Sequence, residues 1–252
     1  MVHVKFSCMG IQGAAEYGLL EALRDVTGPG GGILMPSFTT YLNHPSLWVR
    51  RALLPAEIDC VRDEIPVFDA AWHAPQSGLG VVARALAFHP DAERSWHPIY
   101  SFAGAGRRAT NLLTDVPLDF ALGATGVLGR AVDDGVKVLA IGLPWWERCT
   151  LFHLAEAMAP YRGRRVEVVP LRTPEGWVDS RQLVLHDGDF HSLAQSTPIL
   201  SAGSVGGAIA WVVDGSVAVA EAAARLVRSR SLDQVVWSKY VGVTSAAPAS
   251  IL

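Results

Sequence analysis

The five residues Gly28-Pro29-Gly30-Gly31-Gly32 can continue neither a helix nor a strand, and the segments on either side of them constrain the fold more than anything else in the chain. Ahead of them, Tyr17, Leu20 and Leu23 recur at helical spacing across residues 14–26. That helix is entered from a strand-like run, Val2 to Phe6, through the turn Gly10-Ile11-Gln12-Gly13. After the glycines comes Ile33-Leu34-Met35-Pro36, a short apolar run of the kind buried in a sheet. Strand, helix and strand in that order are the building block of a parallel sheet covered by helices, so the expected class is α/β. Gly10 and Gly13 stand where free backbone N–H groups often hold phosphate. Their spacing fits neither a dinucleotide fingerprint nor a P-loop, and a plain tight turn serves equally well.

The remainder of the chain continues the pattern. Residues 39–66 are irregular, with Pro45, Pro55 and Pro66, and read as an excursion or lid whose Leu47, Trp48, Leu53 and Leu54 need burial. A helix is expected from Val81 to Phe88. Strands are expected over residues 137–143, 166–169, 183–186 and 208–213, and an Ala-rich amphipathic helix over 216–228. At 252 residues, half of them hydrophobic and only 18% charged, the chain can bury one sizeable core. A single domain over 1–244 is expected, with a flexible Ala-, Ser- and Pro-rich tail over 245–252.

Charge and cysteine usage exclude several functions. A net charge of −3 without long runs of one sign argues against nucleic acid or a lipid surface as partner. The Arg162-Gly163-Arg164-Arg165 segment lacks aromatic interleaving and reads as a solvated turn. No run approaches the roughly 18 to 20 apolar residues of a membrane helix, and the amino terminus lacks the layout of a signal peptide. Cys8, Cys60 and Cys149 are odd in number and have no metal-type spacing, which fits a reducing cytoplasm and no metal.

Chemistry concentrates in three places. In Cys149-Thr150-Leu151-Phe152-His153-Leu154-Ala155-Glu156, read as a helix beyond the carboxyl end of the 137–143 strand, His153 and Glu156 are three apart and share a face. A carboxylate beside an imidazole orients the ring and stabilises its cation, the simplest device for taking a proton near neutral pH. Arg94-Ser95-Trp96-His97-Pro98-Ile99-Tyr100-Ser101 is the densest polar set, suited to a polar ligand or to a hydrogen-bonded surface turn. Asp69 precedes a turn and serves as a cap as readily as a site carboxylate.

The order of these segments resembles the aminoglycoside 3-N-acetyltransferase family, coenzyme-A-dependent enzymes distinct from the GNAT fold. The likeness is carried by His3, Ser7 and Gly10, then Gly32-Ile33-Leu34-Met35-Pro36-Ser37-Phe38-Thr39 and Phe68-Asp69. It continues through Arg94-Ser95, His97-Pro98, Ser101, Leu128-Gly129-Arg130, Thr150 and His153-Leu154-Ala155-Glu156. The resemblance implies a three-layer α/β/α sandwich that transfers an acyl group from acetyl-CoA or another acyl-CoA to an amine. It implies His153 as general base, oriented by Glu156 or by Asp69 or Glu147. It also implies a coenzyme side formed by His3, Ser7, Arg94, Ser95, His97 and Ser101. The expected partners are coenzyme A and a small-molecule amine, and a homodimer is compatible with them.

Where the chain departs from the family pattern, the substrate side is affected. Val4-Lys5 replaces two serines, Arg84 stands where glutamate is common, and Trp145-Trp146 enters the loop before His153. Drug-modifying members need acidic walls for a polycationic sugar, so Arg84, Trp145 and Trp146 point to a less cationic or flatter acceptor, such as a secondary-metabolite intermediate. The Trp pair serves core packing equally well. A Ser-His-Asp hydrolase lacks a G-x-S-x-G elbow here. A cysteine acyltransferase acting through Cys8 or Cys149 and a non-catalytic acyl-CoA-binding protein compete with the histidine-based enzyme.

Overall fold

Strand β1 (Val2–Val4) leads through a short 3-10 turn and helix α1 (Ala15–Thr27) to β2 (Ile33–Pro36), yet β1 and β2 are in different sheets. In a computed structural model that describes residues 1–13, 15–48 and 53–230, β1 pairs in parallel with β5 (Lys137–Ile141), placing His3 opposite Ala140. β5 pairs antiparallel with β9 (Ala208–Asp214), and β9 with β8 (Ile199–Val205), giving the order β1-β5-β9-β8. β2 joins a second, antiparallel sheet in the order β2-β4-β3, with β3 (Ala92–Arg94) and β4 (Phe102–Ala105). A third sheet is the hairpin of β6 (Val166–Thr173) and β7 (Gly176–Leu183). The tail expected over 245–252 lies outside the described residues.

The parallel sheet expected from the first strand–helix–strand unit is thus realised in one pairing, β1 with β5. Two of the antiparallel pairings follow from local turn chemistry. β8 and β9 are joined by Gly206-Gly207, with Gly206 at φ 58, and a two-residue turn of this kind returns the chain antiparallel. Residues 174–175 close β6 on β7 in the same way, so the strand expected over 183–186 lies earlier, at Gly176–Leu183.

Alternation along the strands builds the layers. Val138 and Ala140 of β5 and Val213 of β9 enter a cluster with α5 (Val127–Asp133), α6 (Leu151–Met158) and α8 (Gly215–Ser229). Leu139 and Ile141 of β5 and Ala208 and Ala210 of β9 face the opposite way. They meet Leu19 and Leu20 of α1 and Val82, Ala83, Ala85 and Leu86 of α3 (Val81–Ala87). Period-two side-chain direction therefore sends one strand into two helical layers, an α/β fold with helices on both faces. Phe102 of β4 and its neighbours Ala103 and Ala105 divide between the same two clusters.

The excursion after β2 contains α2 (Pro55–Arg62). Leu42, Ile65 and Phe68 form a small core there with Trp48 and Trp177 packed against it, whereas Leu54 is exposed. Leu54 instead starts α2, its N–H bonded to Glu57 Oε2 at 2.8 Å.

Candidate active site

Helix α6 is set by what precedes it. β5 ends at Ile141, and Gly142 adopts φ 76 where any Cβ would sit 2.6 Å from the Lys5 carbonyl oxygen. The connection passes through Arg148 at φ 63, a left-handed conformation uncommon outside glycine, with the Arg148 guanidinium bonded to the Gly78 carbonyl. Leu151, Phe152, Leu154 and Ala155 then bury the core face of α6. His153 is left at the margin with 15% of its side chain exposed, and Glu156 is fully buried.

His153 Nδ1 lies 2.8 Å from Glu156 Oε2. An ionised carboxylate only accepts, so Nδ1 carries the proton and Nε2 presents its lone pair. The other carboxylate oxygen, Oε1, accepts from the His186 backbone N–H at 3.0 Å and from Arg230 Nη1 at 2.5 Å. Arg230 follows the last residue of α8. Its Nε and Nη2 hold both oxygens of Asp189 at 2.8 and 2.7 Å, and its guanidinium lies 5.0 Å from the Tyr161 ring centroid. Burial by itself lowers the pKa of Arg230. Hydrogen bonds and charge from Asp189 and Glu156 together outweigh burial and raise it above its ordinary value. The result is a chain Asp189–Arg230–Glu156–His153 in which the buried charge of Glu156 is compensated and its three donors fix its plane.

Beside the imidazole is a shallow depression of about 240 Å³ lined by His153, Tyr100, Phe120, Gln182 and apolar residues. Phe120 is itself left-handed, at φ 50.

The structure brings Glu156 to His153 but neither Asp69 nor Glu147. Asp69 is exposed and caps its own turn, with Oδ1 accepting from Ala71 N–H at 2.8 Å. Glu147 sits in the loop before α6, half-buried. The polar groups of residues 94–101 turn inward. All three guanidinium nitrogens of Arg94 are engaged, by Ser101 Oγ at 3.1 Å and by the carbonyls of Ser37, Ala70 and His73. Burial pushes its pKa down to about 10. Ser95 Oγ accepts from Phe102 N–H, and Ser101 Oγ donates to the Ser37 carbonyl. His97 Nδ1 accepts the N–H groups of Ile99 and Tyr100, its Nε2 faces the Leu118 carbonyl, and burial lowers its pKa to about 4. These groups hold the loop: their polar atoms have main-chain or side-chain partners. His3 is buried on β1, with a pKa lowered to about 3 by burial and by the chain's amino group, while Ser7 is exposed.

The residues expected to shape the acceptor are also elsewhere than the depression. Trp145 is buried edge-on against Phe152, ring centroids 5.5 Å apart, and Trp146 packs on His191. Arg84 is exposed on α3. Cys149 is fully buried and burial pushes its thiol up to about 12, which leaves it unreactive near neutral pH. Among the described residues no cluster of His, Cys, Asp and Glu suits a metal ion, and no helix is long and apolar enough to cross a membrane.

The sequence model of the aminoglycoside 3-N-acetyltransferase family matches residues 1–227. The chain belongs to that family. Among curated members it is 28% identical, over 78% of its length, to the SPβ prophage-derived aminoglycoside N(3′)-acetyltransferase-like protein YokD of Bacillus subtilis (strain 168). It is 32% identical over 77% of its length to aminoglycoside N(3)-acetyltransferase VII of Streptomyces paromomycinus. To aminoglycoside N(3)-acetyltransferase III of Serratia marcescens it is 33% identical over 71% of its length. The matched segments span 72%, 64% and 65% of those proteins. The crystal structure of YokD superposes with a TM-score of 0.83 at 26% identity, covering 90% of this chain and 86% of that one. AAC-IIIb in its binary complex with CoASH superposes at 0.75 and 26% identity, covering 92% and 91%. The family is thus one of N-acetyltransferases whose fold this chain shares.

Arg230, Asp189 and the His186 main chain were not anticipated from sequence. Arg230 lies just beyond the helix expected over 216–228, and no local spacing links it to Glu156, 74 residues away.

Proposed function

We propose that the chain is an acyl-CoA-dependent N-acyltransferase, with acetyl-CoA the donor and an amine of a small molecule the acceptor, and that His153 is its general base. The observation that carries this reading is the buried Glu156 carboxylate 2.8 Å from His153 Nδ1, which leaves Nε2 of this depression-lining residue as the proton acceptor. An alkyl amine is mostly protonated near neutral pH and cannot attack until a base takes a proton. Nε2 takes that proton, and Glu156 stabilises the imidazolium without itself becoming protonated. The nitrogen lone pair attacks the thioester carbonyl carbon. As the tetrahedral adduct collapses, the C–S bond breaks, the coenzyme thiolate receives the proton from Nε2, and Nε2, free again, takes the second proton from the nitrogen to leave a neutral amide. No covalent enzyme intermediate is needed, because the thioester is already activated and the chain supplies proximity and proton transfer.

For the acceptor we favour an amine less cationic than an aminoglycoside. The support is the lining of the depression, which among the described residues carries no carboxylate. Aminoglycosides are the second reading, supported by the names of the relatives. Thiol release from acetyl-CoA across a panel of amines, aminoglycosides included, separates the two. His153→Ala is expected to abolish turnover while retaining coenzyme A binding by calorimetry, and unchanged turnover rules the base role out. A non-catalytic binding protein would show coenzyme binding and no thiol release with any amine.

A further inference from the structure

Three side chains bring polar groups to the depression: Tyr100, His153 and Gln182. Gln182 is fully engaged, its Nε2 donating to the Leu118 carbonyl at 2.5 Å and to Ser180 Oγ at 2.6 Å, its Oε1 accepting from Ala121 N–H at 3.3 Å. His153 Nδ1 is committed to Glu156. What remains is His153 Nε2 and the Tyr100 hydroxyl, which makes no hydrogen bond among the described residues. The Tyr100 ring is held on two sides, edge-on to Phe38 at 5.3 Å and stacked on His97 at 5.8 Å between centroids. Its N–H donates to His97 Nδ1 at 3.0 Å, so the inward-turned 94–101 loop serves to fix this phenol.

We propose that the Tyr100 hydroxyl is a catalytic hydrogen-bond donor to the carbonyl oxygen of the acyl thioester. The proposal rests on the acyl-transfer reading above and adds to it the group that stabilises the oxyanion. When the amine nitrogen bonds to the carbonyl carbon, the C=O π pair moves onto oxygen, where the Tyr100 O–H meets it. When that pair returns, the C–S bond breaks and its electrons leave with the coenzyme sulfur, protonated from His153. Tyr100 keeps its proton throughout. Burial, with the charges of Glu167 and Glu156 adding, holds its phenol well above the ordinary tyrosine range, so it donates without ionising. A base and an unionised donor on two residues that line one small, largely apolar space are the pair that a thioester and an amine require.

The test uses acetyl-CoA carrying carbon-13 at the carbonyl, bound to the full chain and to Tyr100→Phe, read by infrared difference spectroscopy. The phenylalanine keeps both ring contacts. In the parent the bound carbonyl band is expected at lower wavenumber than in solution, and in the variant it returns towards the solution position. Thiol release, wherever an amine of the panel supports it, is expected to fall about a hundred-fold in kcat, the usual loss of one oxyanion donor. Incorporating 3,5-difluorotyrosine at position 100, a stronger donor of the same shape, lowers the band further and covers the case in which the phenylalanine variant misfolds. Identical carbonyl bands in parent and variants overturn the proposal while leaving the base role of His153 standing. If the parent binds no acetyl-CoA, the acyl-transfer reading itself falls, and the proposal with it.

Discussion

Replacing Glu156 by glutamine tests the site with almost no change of shape. The amide has two ways to sit. With its oxygen towards Arg230 and the His186 N–H, at 2.5 and 3.0 Å, the NH₂ faces His153 Nδ1. Nδ1 must then accept, Nε2 carries the proton, and the ring cannot take one from an amine. In the other orientation the NH₂ points at two donors in a fully buried site, which costs roughly 3–4 kcal/mol in unmade hydrogen bonds. At about 1.4 kcal/mol per factor of ten, only about one molecule in 10² to 10³ holds the useful tautomer. Loss of the charge-assisted bond to the imidazolium adds about a further ten-fold or more. Glu156→Gln is thus expected to lower kcat by about 10³ to 10⁴-fold, in the range that tautomer inversion costs a Ser-His-Asp triad. The Michaelis constant for acetyl-CoA should stay unchanged. The assay is thiol release at pH 7 and upwards with the best amine of the panel. The gap between parent and variant should narrow towards about pH 10, where an alkyl amine loses its proton unaided. Parent-like turnover at pH 7 in a variant of parent-like circular dichroism would refute the tautomer argument and the base assignment with it.

Arg94→Lys loses the fork that engages Ser101 and three backbone carbonyls, and is expected to cost about 2–4 kcal/mol in urea unfolding with an unchanged Michaelis constant for acetyl-CoA. A selective rise in that constant at unchanged stability would place Arg94 on the coenzyme side. Stability should also fall on acidification. His97 and His3 titrate near 6.5 when unfolded but are lowered to about 4 and about 3 by burial in the fold. The unfolded chain therefore binds their protons first. Their contribution is complete above pH 6.5 and is lost as pH falls towards 4 and then 3, with a slope of up to about 1.4 kcal/mol per pH unit for each histidine. Urea midpoints between pH 7 and 4 check this, and a flat profile contradicts it.

The His153–Glu156 pair was legible in the sequence because it is local: three residues apart on a helix fixes a shared face whatever surrounds it. What makes the pair a buried, oriented dyad was not legible. Arg230 reaches Glu156 from the end of α8, and Asp189 reaches Arg230 from the connection before α7 (Phe190–Ala194), contacts that only the packed fold creates. The partners of the 94–101 cluster were illegible for a related reason. Polarity in a sequence shows that hydrogen bonds will be made but not with whom, and here the partners are Ser37, Leu118 and the loop's own main chain. β8 escaped notice because Ile199-Leu200-Ser201-Ala202-Gly203-Ser204-Val205 has little strand propensity and is held by its pairing with β9. The alternation of α and β came through clearly, since it depends on apolar periodicity, while the direction of two strand pairs, β6 with β7 and β8 with β9, was set by two-residue turns that periodicity does not record.

The arginine beyond α8 gives the protein an order of completion. A chain emerging from the ribosome makes the imidazole first, its carboxylate three residues later and the arginine only after 74 more. Until α8 docks on α6, Glu156 lacks the guanidinium that holds its Oε1, and one of the three donors that fix its carboxylate against the ring is missing. Competence therefore arrives with the last described helix. A nascent, nicked or partly melted chain can keep much of its fold and still hold an idle histidine.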